Sequence, residues 1–411
     1  MSEFYDSLET RSNDERTQAQ FEAIREQITH VQNNTKAYAE ALEHIDADDI
    51  TDAVSFSALP LTRKSELIEL QKTQRPFGGY TTNNTPHYSH VFASPGPIYE
   101  PGFSVTDFWR FARSLYASGF RPGDLVHNCF SYHFTPAGQM FDSAAQALGC
   151  AVIPAGIGQT ELQVQTITDL SPNGYVGTPS FLKIILQQAD DLDSDVSSID
   201  KAMVSGEALP PPLRAAFVDR GIRVQQCYGT ADLGLIAYES SAQEGLIIDE
   251  GVYLEIVRPG TSELVDEGEV GEVVVTNLGR EYPLIRFATG DLSAYLPGSS
   301  PCGRSNQRIK GWMGRADQTA KVRGMFIHPE QVDRVTKRHA EIIKARLVVD
   351  WVDQADQITL QCESDNSDAS LADAIAESIR SICKLRGDVE IVAVGSLPND
   401  GKVIDDIRQY E

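Results

Sequence analysis

The sequence predicts an α/β protein with a large N-terminal lobe of mainly parallel sheet covered by helices, a small β subdomain, and a small α+β C-terminal lobe. Three observations indicate this fold class. Strand-like and helix-like segments alternate between Leu125 and Gln226, which is typical of a parallel sheet. From Gly251, short apolar strands alternate with turn residues, as antiparallel strands do. After Gly314, strands and helices mix within one compact segment.

The chain is also too long for one ordinary core, at 411 residues. We therefore expect a large domain over residues 1–313 and a small domain over residues 314–411.

The N-terminal segment is predicted to form an amphipathic helix that packs on the larger body. Between about Asn13 and Glu43, apolar residues recur at three- and four-residue spacing, namely Phe21, Ile24, Ile28 and Val31. Further on, the Thr62 side chain can cap the start of a second helix. Pro60 prevents that helix from extending towards the N-terminus.

The predicted parallel sheet and its covering helices occupy the region between residues 105 and 226. Strands are expected at residues 125–130, 150–155, 174–176, 201–205 and 223–226, with the second of them buried. Helices are expected at residues 105–119, through Met140, Ala144 and Leu148, and at 161–170, 180–190 and 212–220. Ligands of such sheets bind beyond the carboxyl ends of the strands.

The rest of the chain carries the β subdomain and the small lobe. Strands are expected at residues 253–257, 271–276, 319–322, 345–350, 357–362 and 389–393. Helices are expected at residues 329–338 and 371–385.

The charge balance is strongly acidic. Lys and Arg number 35 against 59 Asp and Glu, which gives a net charge of −24. Such a surface repels nucleic acid and anionic membranes, so both are poor partners. It also opposes any anionic ligand, which would need local positive groups or a divalent cation. The plainer interpretation of the charge is solubility.

The cysteines and the N-terminus indicate a cytoplasmic protein. The six cysteines are scattered without a CxxC pair, a pattern that suits a reducing compartment and favours neither a disulfide framework nor zinc. The first residues are acidic and lack an apolar signal core. No run approaches the ~18 apolar residues that a membrane span needs.

Three turn motifs between Tyr282 and Pro329 organise the functional prediction. Thr289-Gly290-Asp291 follows an apolar strand, and its carboxylate can accept hydrogen bonds from a ligand diol. Gly314-Arg315-Ala316-Asp317 adds an Arg donor, and Lys321-Val322-Arg323-Gly324 adds two more cations. The glycines let the backbone approach a ligand closely. One such turn alone is commonplace, but the order and spacing of all three are specific.

Further motifs follow predicted strands or lie near the C-terminus. Ser205-Gly206-Glu207 and the stretch from Gln226 to Asp232 come at strand ends. Lys402 lies in the glycine turn from Leu397 to Val403. Over nearly the whole chain, these residues resemble the acyl-adenylate-forming ligases, and among them the phenylacetate–coenzyme A ligase family.

The resemblance implies a role for each matching position. It implies nucleotide contacts for Ser94, Gly96, Gly206, Glu207, Tyr228, Gly229 and Thr230, with ribose bound by Asp291 and Arg315. It implies adenylation chemistry for Lys402, Mg²⁺ binding and catalysis for Asp232, and a hinge at Asp317 that makes the small domain mobile. It also implies coenzyme A contacts for Lys321, Arg323 and Gly324, and an acyl pocket at Tyr132, His133 and Phe134.

Each of these residues also has a plainer interpretation. Tyr228 alone would be core filler, Asp291 and Arg315 a surface ion pair, and Lys402 a solvated lysine. His133 would be an ordinary core or loop histidine, and residues 321–324 a solvated basic turn.

Three places depart from the family pattern, and one of them is Asp232, where the family has the longer Glu. The family carries a Ser/Thr/Gly-rich phosphate loop ending in Lys-Pro, whose hydroxyls and amides surround a triphosphate. Here the stretch from Ser94 to Pro101 has three prolines and neither Thr nor Lys. Ala231 replaces a hydroxyl residue of the family. The stretch either still contacts phosphate or forms a rigid lid over the nucleotide or acyl pocket.

The resemblance implies ATP-dependent activation of a carboxylic acid, usually aromatic, to acyl-AMP, followed by transfer to coenzyme A. The alternatives are a nucleotide- or acyl-binding relative with lost or altered adenylation activity, and an adenylating enzyme with another acyl acceptor. Cofactors and partners would be ATP or AMP, Mg²⁺ and coenzyme A, without zinc, because Cys302 lacks the other ligands seen in some relatives. A homodimer is the family's habit.

Overall fold

A computed structural model describes residues 3–82, 88–94, 97–316, 319–322, 325–352, 355–366 and 368–408. Within those ranges, every helix is too short or too polar to cross a lipid bilayer.

The helices of the described residues alternate with strands between residues 112 and 230. They are α1 (Asn13–Asn34), α2 (Lys36–Ala41), α3 (Ala53–Ser57), α4 (Leu67–Thr73), α5 (Ala112–Ala117), α6 (Ala137–Ala147), α7 (Thr160–Leu170), α8 (Pro179–Asp191), α9 (Pro211–Asp219), α10 (Pro329–Thr336) and α11 (Ala369–Cys383).

The strands are numbered in the same way along the chain. They are β1 (Thr62–Arg63), β2 (His90–Ser94), β3 (Ile98–Gly102), β4 (Leu125–Asn128), β5 (Ala151–Ile153), β6 (Gly174–Gly177), β7 (Lys201–Val204), β8 (Arg223–Thr230), β9 (Gly234–Tyr238), β10 (Leu246–Ile248), β11 (Val252–Val257), β12 (Gly271–Asn277), β13 (Phe287–Ser293), β14 (Tyr295–Leu296), β15 (Arg308–Ile309), β16 (Ala320–Val322), β17 (Met325–Ile327), β18 (Lys344–Val352), β19 (Ala355–Glu363), β20 (Asp388–Val392) and β21 (Ile404–Asp406).

The largest sheet has nine strands in the order β14-β15-β10-β9-β8-β7-β6-β4-β5. The strands β5, β4, β6, β7 and β8 pair in parallel, as the alternating pattern predicts. The neighbouring pairs β8–β9, β9–β10 and β10–β15 are antiparallel. The prediction that residues 150–155 form a buried strand is wrong, because β5 is the sheet edge and Ala151 is exposed.

Apolar helix faces cover both sides of the parallel half. Val164 and Ile167 of α7 and Leu182 and Ile185 of α8 share one core with Tyr175 of β6. Phe141 and Ala144 of α6 belong to the other core, with Val176. Since successive strand residues point to opposite faces, Tyr175 and Val176 serve the two cores separately. The sheet thereby fixes the carboxyl ends of β7 and β8, where the candidate site begins.

The chain divides into two compact units. One comprises residues 1–254, 275–287 and 296–312, and the other residues 255–274, 288–295 and 313–411. In the second unit, a sheet of order β20-β19-β18-β21 shares a core with α10 and α11, through residues such as Val332, Ile375 and Leu360.

Several element boundaries differ from the sequence prediction. The first helix breaks at Thr35, whose hydroxyl starts α2. The helix expected over 105–119 forms only as α5, because Asp107 and Arg110 adopt positive φ before it. Thr62 lies in β1 rather than capping a helix, and its hydroxyl meets the Tyr38 hydroxyl at 3.2 Å.

Candidate active site

Gly206 and Glu207, two of the expected nucleotide contacts, follow the carboxyl end of β7. Gly206 has φ +81°, and a Cβ there would come no closer than 3.7 Å to Thr178. The exposed Glu207 carboxylate accepts a hydrogen bond from the Ser180 hydroxyl at 2.9 Å. These residues form an open, polar loop end of the kind that binds ligands in α/β sheets.

Tyr228, Gly229 and Thr230 lie inside β8 and not after it. The pairing of β8 with β9 shifts between Tyr228 and Gly229, so the strand bends at this point. A Cβ on Gly229 would lie 2.6 Å from the Gly234 carbonyl oxygen, which requires glycine. The Thr230 hydroxyl accepts a hydrogen bond from the Leu233 N–H at 3.2 Å and shapes the turn into Asp232.

Asp232, the expected metal ligand, is a buried carboxylate in an ion pair. Its Oδ2 lies 2.5 Å from Lys64 Nζ, and the Asp232 side chain is 0% exposed against 25% for Lys64. The other oxygen, Oδ1, is buried and has no hydrogen-bond partner within the described ranges. The carboxylate therefore has one oxygen neutralised and one oxygen available.

The stretch that replaces the family's phosphate loop belongs to a β-hairpin. β2 and β3 pair antiparallel with Ser94 opposite Ile98, and the Ser94 hydroxyl donates to the Glu100 carboxylate. Burial, together with the nearby Asp232 carboxylate, raises the pKa of Glu100 to about 7. The other oxygen, Oε2, has no hydrogen-bond partner in the described part of the chain. The Ser94 hydroxyl thus binds a carboxylate of the protein, whereas a phosphate contact was expected.

The buried hydroxyl of Tyr282 belongs to the same electrostatic environment. Burial, and then the charges of Asp232 and Glu100, raise the pKa of Tyr282 well above its usual value. Its hydroxyl has no partner among the described residues. Sequence reasoning missed Lys64, Glu100 and Tyr282 as site residues. Lys64 lies in the polar stretch from Thr62 to Glu66, where no local pattern indicates a partner 168 positions away.

The expected ribose pair lies in the second unit. Arg315 Nη1 is 2.9 Å from Asp291 Oδ1, and the backbone of the two residues forms an antiparallel bridge. The expectation that Thr289-Gly290-Asp291 is a turn after a strand is wrong, because all three lie within β13. Gly290 has φ +75°, and a Cβ there would lie 2.5 Å from Arg315 Nη2. Glycine is thus what allows the Arg315 guanidinium to lie across the strand.

Lys402 lies in a turn that packs on other parts of the second unit. Its Nζ is 2.7 Å from Asp405 Oδ1, and its side chain is half-exposed. Next to it, Gly401 has φ +71°, and a Cβ would meet Val270 at 2.7 Å and Leu292 at 3.1 Å. Asn399 fastens the same turn, accepting from the Val270 N–H at 3.2 Å and donating to the Gly268 carbonyl at 3.4 Å.

The three expected acyl-pocket residues differ in exposure. The Tyr132 hydroxyl donates to Asp142 and accepts from Asn128, both at 2.8 Å. His133 is exposed, and Phe134, with φ +62°, is 74% exposed. Only Tyr132 is fixed by side-chain hydrogen bonds within the described residues, and its role in an acyl pocket stays a prediction.

Most of the remaining predicted residues lie outside the part of the chain that the structure describes. Gly96, Asp317, Arg323 and Gly324 lie outside the described residues, and so does the side chain of Lys321. Cys302 lies within them, with its sulfur 3.0 Å from the Ser300 hydroxyl.

Known proteins resemble this chain over most of its length. The family model of the AMP-binding enzyme matches residues 107–279. The phenylacetate–coenzyme A ligase of Aromatoleum evansii is 30% identical over 374 residues, covering 87% of this chain and 83% of that enzyme. The enzyme of the same name from Pseudomonas putida is 28% identical, covering 97% and 95%.

A solved structure confirms the predicted α/β class. It is 2-hydroxyisobutyryl-CoA ligase in an open conformation, in complex with 2-HIB-AMP and CoA, with a TM-score of 0.74 and 22% identity. The match covers 97% of this chain and 92% of that one.

Proposed function

The chain belongs to the AMP-binding enzymes, in the branch of the phenylacetate–coenzyme A ligases, and on that basis we propose that it activates a carboxylic acid with ATP and transfers the acyl group to coenzyme A. The single observation that carries this proposal is the similarity to two phenylacetate–coenzyme A ligases over most of both chains. The Asp291–Arg315 pair supports it further, because a carboxylate held beside a guanidinium offers the acceptor that a ribose diol needs.

The reaction has two steps. An oxygen of the substrate carboxylate attacks the α-phosphorus of ATP, the bond to the β-phosphate oxygen breaks, and pyrophosphate leaves with acyl-AMP remaining. The coenzyme A sulfur, after losing its proton, then attacks the acyl carbon, and AMP leaves. Lys402 is the cation that would stabilise negative charge on the phosphate oxygens in the first step.

Asp232 fits a divalent cation in part. Carboxylate oxygens are preferred ligands of Mg²⁺, and Asp232 Oδ1 is a buried oxygen without a partner among described residues. Within the described ranges, no group of three or more His, Cys, Asp and Glu side chains is placed to hold a metal ion, so Mg²⁺ here would take most of its ligands from phosphate and water. When bound, the ion supplies positive charge to the phosphates.

Finer points of the proposal rest on the sequence. We propose the cytoplasm as its compartment, a homodimer as its assembly, and a hinge near Asp317 between residues 1–313 and 314–411. An aromatic acid is the proposed substrate, since the similar enzymes are phenylacetate–coenzyme A ligases. A competing function, nucleotide or acyl binding without adenylation, is favoured by the Ser94–Glu100 hydrogen bond, which occupies an expected phosphate contact.

Acid-dependent exchange of radiolabelled pyrophosphate into ATP tests the proposal. Aryl and alkyl acids are supplied one at a time, and coenzyme A is then added to identify the thioester by mass spectrometry. We expect exchange with at least one aryl acid and a thioester of that same acid. Measurable AMP binding without exchange for any acid would instead establish the binding function. Exchange without thioester formation would point to another acyl acceptor.

A further inference from the structure

We propose that Lys64 binds the β- and γ-phosphates of ATP in this protein. The inference rests on the proposed function, since it concerns how the same site holds its nucleotide. Three observations carry it: the position of Lys64, its unused hydrogen-bond donors, and the surrounding carboxylates.

Lys64 is held beside the predicted nucleotide site by Asp232. The Lys64 Nζ to Asp232 Oδ2 distance is 2.5 Å, and Asp232 follows Thr230, the last residue of β8. Parallel α/β sheets bind their ligands beyond such strand ends. The ammonium therefore lies next to the segment that also carries Tyr228 and Gly229.

Lys64 has donors that the described residues do not use. An ammonium group carries three N–H donors, and Asp232 is its one acceptor among the described residues. A contrasting case is Arg16, a buried cation whose guanidinium donates to Glu250, Leu8, Asn13 and Ser305. Arg16 is saturated and structural, whereas Lys64 is a quarter exposed and can donate to a ligand.

The charges around Lys64 make a cation necessary for any anion that binds here. Asp232 and Glu100 are both buried carboxyl groups, and a phosphate placed near two carboxylates would be repelled unless a positive charge intervened. The stretch from Ser94 to Pro101 contributes no lysine. Lys64 comes from a separate part of the chain, directly after β1, and supplies that charge.

The competing explanation is that Lys64 only neutralises a buried Asp232. Removing one partner of a buried ion pair is destabilising in that case, but it would affect ATP and AMP equally. Contact with the β- and γ-phosphates, which AMP lacks, predicts a selective effect on ATP.

The test compares the dissociation constants of ATP and AMP, without any acid, for the wild type and Lys64→Met. We expect ATP binding to weaken at least tenfold and AMP binding to change less than twofold. Lys72→Met is the matched control, because Lys72 is exposed and paired with Glu69 on α4, and it should leave both constants unchanged. Equal changes for ATP and AMP, or no change for either, would overturn the inference.

A second measurement uses the wild-type protein and so does not depend on how the variant folds. Lysines are acetylated with a water-soluble reagent, and the modified fraction of each is determined by mass spectrometry. ATP should protect Lys64 at least fivefold, AMP should not, and Lys72 should react equally in all samples. Absence of ATP-specific protection contradicts the role of Lys64, whereas the proposed function fails separately, through absence of pyrophosphate exchange.

Discussion

At the residue scale, the candidate ribose pair depends on Gly290, which has no side chain. Arg315 reaches Asp291 across Gly290, and the segment around Arg315 is hydrogen-bonded to β13 on either side: Leu292 N–H to the Gly314 carbonyl at 2.9 Å, and Ala316 N–H to the Gly290 carbonyl at 2.7 Å. The backbone thus sets the register, and the glycine leaves the space in which the guanidinium lies.

The substitution Gly290→Ala tests this arrangement. Its Cβ would lie 2.5 Å from Arg315 Nη2, so the guanidinium must shift from its present position beside Asp291. We expect ATP and AMP to bind about tenfold more weakly, since hydrogen bonds to charged groups are worth ~1.5–3 kcal/mol. Equilibrium titration of both nucleotides measures the effect, which should be equal for the two because both carry the ribose.

Gly298→Ala provides the matched control for backbone strain. Gly298 has φ +77°, close to that of Gly290, but a Cβ there would have nothing within 4 Å. Both variants should lose ~1–2 kcal/mol of unfolding free energy from the left-handed conformation. Only Gly290→Ala should lose nucleotide affinity, and equal affinity losses in the two variants would contradict the steric explanation.

At the element scale, α5 illustrates a boundary set by a single side chain. Asp107, with φ +50°, accepts from the Ala112 N–H with Oδ1 at 3.2 Å and Oδ2 at 3.1 Å. Its carboxyl group thereby takes up a free N–H at the start of the helix. Burial, and to a lesser degree Asp249, raises the pKa of Asp107 to about 7.

Asp107→Asn should therefore change how stability depends on pH. The raised pKa means that the native state keeps a proton which the unfolded chain loses near pH 4, so this group's contribution to stability is lost as pH rises from about 4 to about 7. Asn cannot titrate. Urea unfolding at pH 5 and pH 8 should show the variant gaining stability relative to the wild type as pH rises.

Asp190→Asn supplies a control of opposite sign. Its hydrogen bond from Arg220 lowers the pKa of Asp190, so that variant should lose stability relative to the wild type as pH rises through the acidic range. A pH-independent difference between Asp107→Asn and the wild type would show that Asp107 titrates normally.

The sequence predicted the helices and parallel strands well, because their apolar spacing is local. It placed α7, α8, β6 and β7 to within a residue or two at each end. It failed where tertiary contacts decide: Thr289-Gly290-Asp291 has turn composition but pairs as strand, since the segment around Arg315 bonds to it. The contacts of Lys64 with Asp232 span 168 positions, and no local pattern encodes such a pairing.

At the scale of the whole molecule, the acidic net charge opposes the binding of anionic ligands. A net charge of −24 repels ATP and coenzyme A at long range, and salt weakens that repulsion beyond ~8–10 Å. Close contacts then decide binding. Within the first unit Lys64 lies against Asp232, and within the second unit Arg315 lies against Asp291 and Lys402 against Asp405. Each carboxylate holds its cation in place and offsets part of the local positive charge.

The second unit holds the Lys402 turn in a docked position. Gly401 packs on Leu292, whereas the neighbouring residue Asp291 bonds Arg315. Successive strand residues point to opposite faces, so the docked turn lies on the face of β13 away from the ribose pair. For the proposed role of Lys402 in adenylation, the turn would have to leave this position to bring the ammonium group to a phosphate next to the proposed ribose site. In the proposed two-step reaction, the docked state would then belong to the second step, thioester formation.

Asn399→Ala should separate the two steps, because it removes both hydrogen bonds that fasten the turn to Val270 and Gly268. Two such bonds are worth ~1–3 kcal/mol together, so transfer from preformed acyl-AMP to coenzyme A should slow about tenfold. In the proposed reaction the turn undocks for adenylation, so pyrophosphate exchange should be unchanged or faster. Single-turnover assays of each step measure this split, and Asn366→Ala, whose side chain accepts from Asp368 N–H in its own loop, is the control. Slower exchange with normal thioester formation would assign the docked state to adenylation instead.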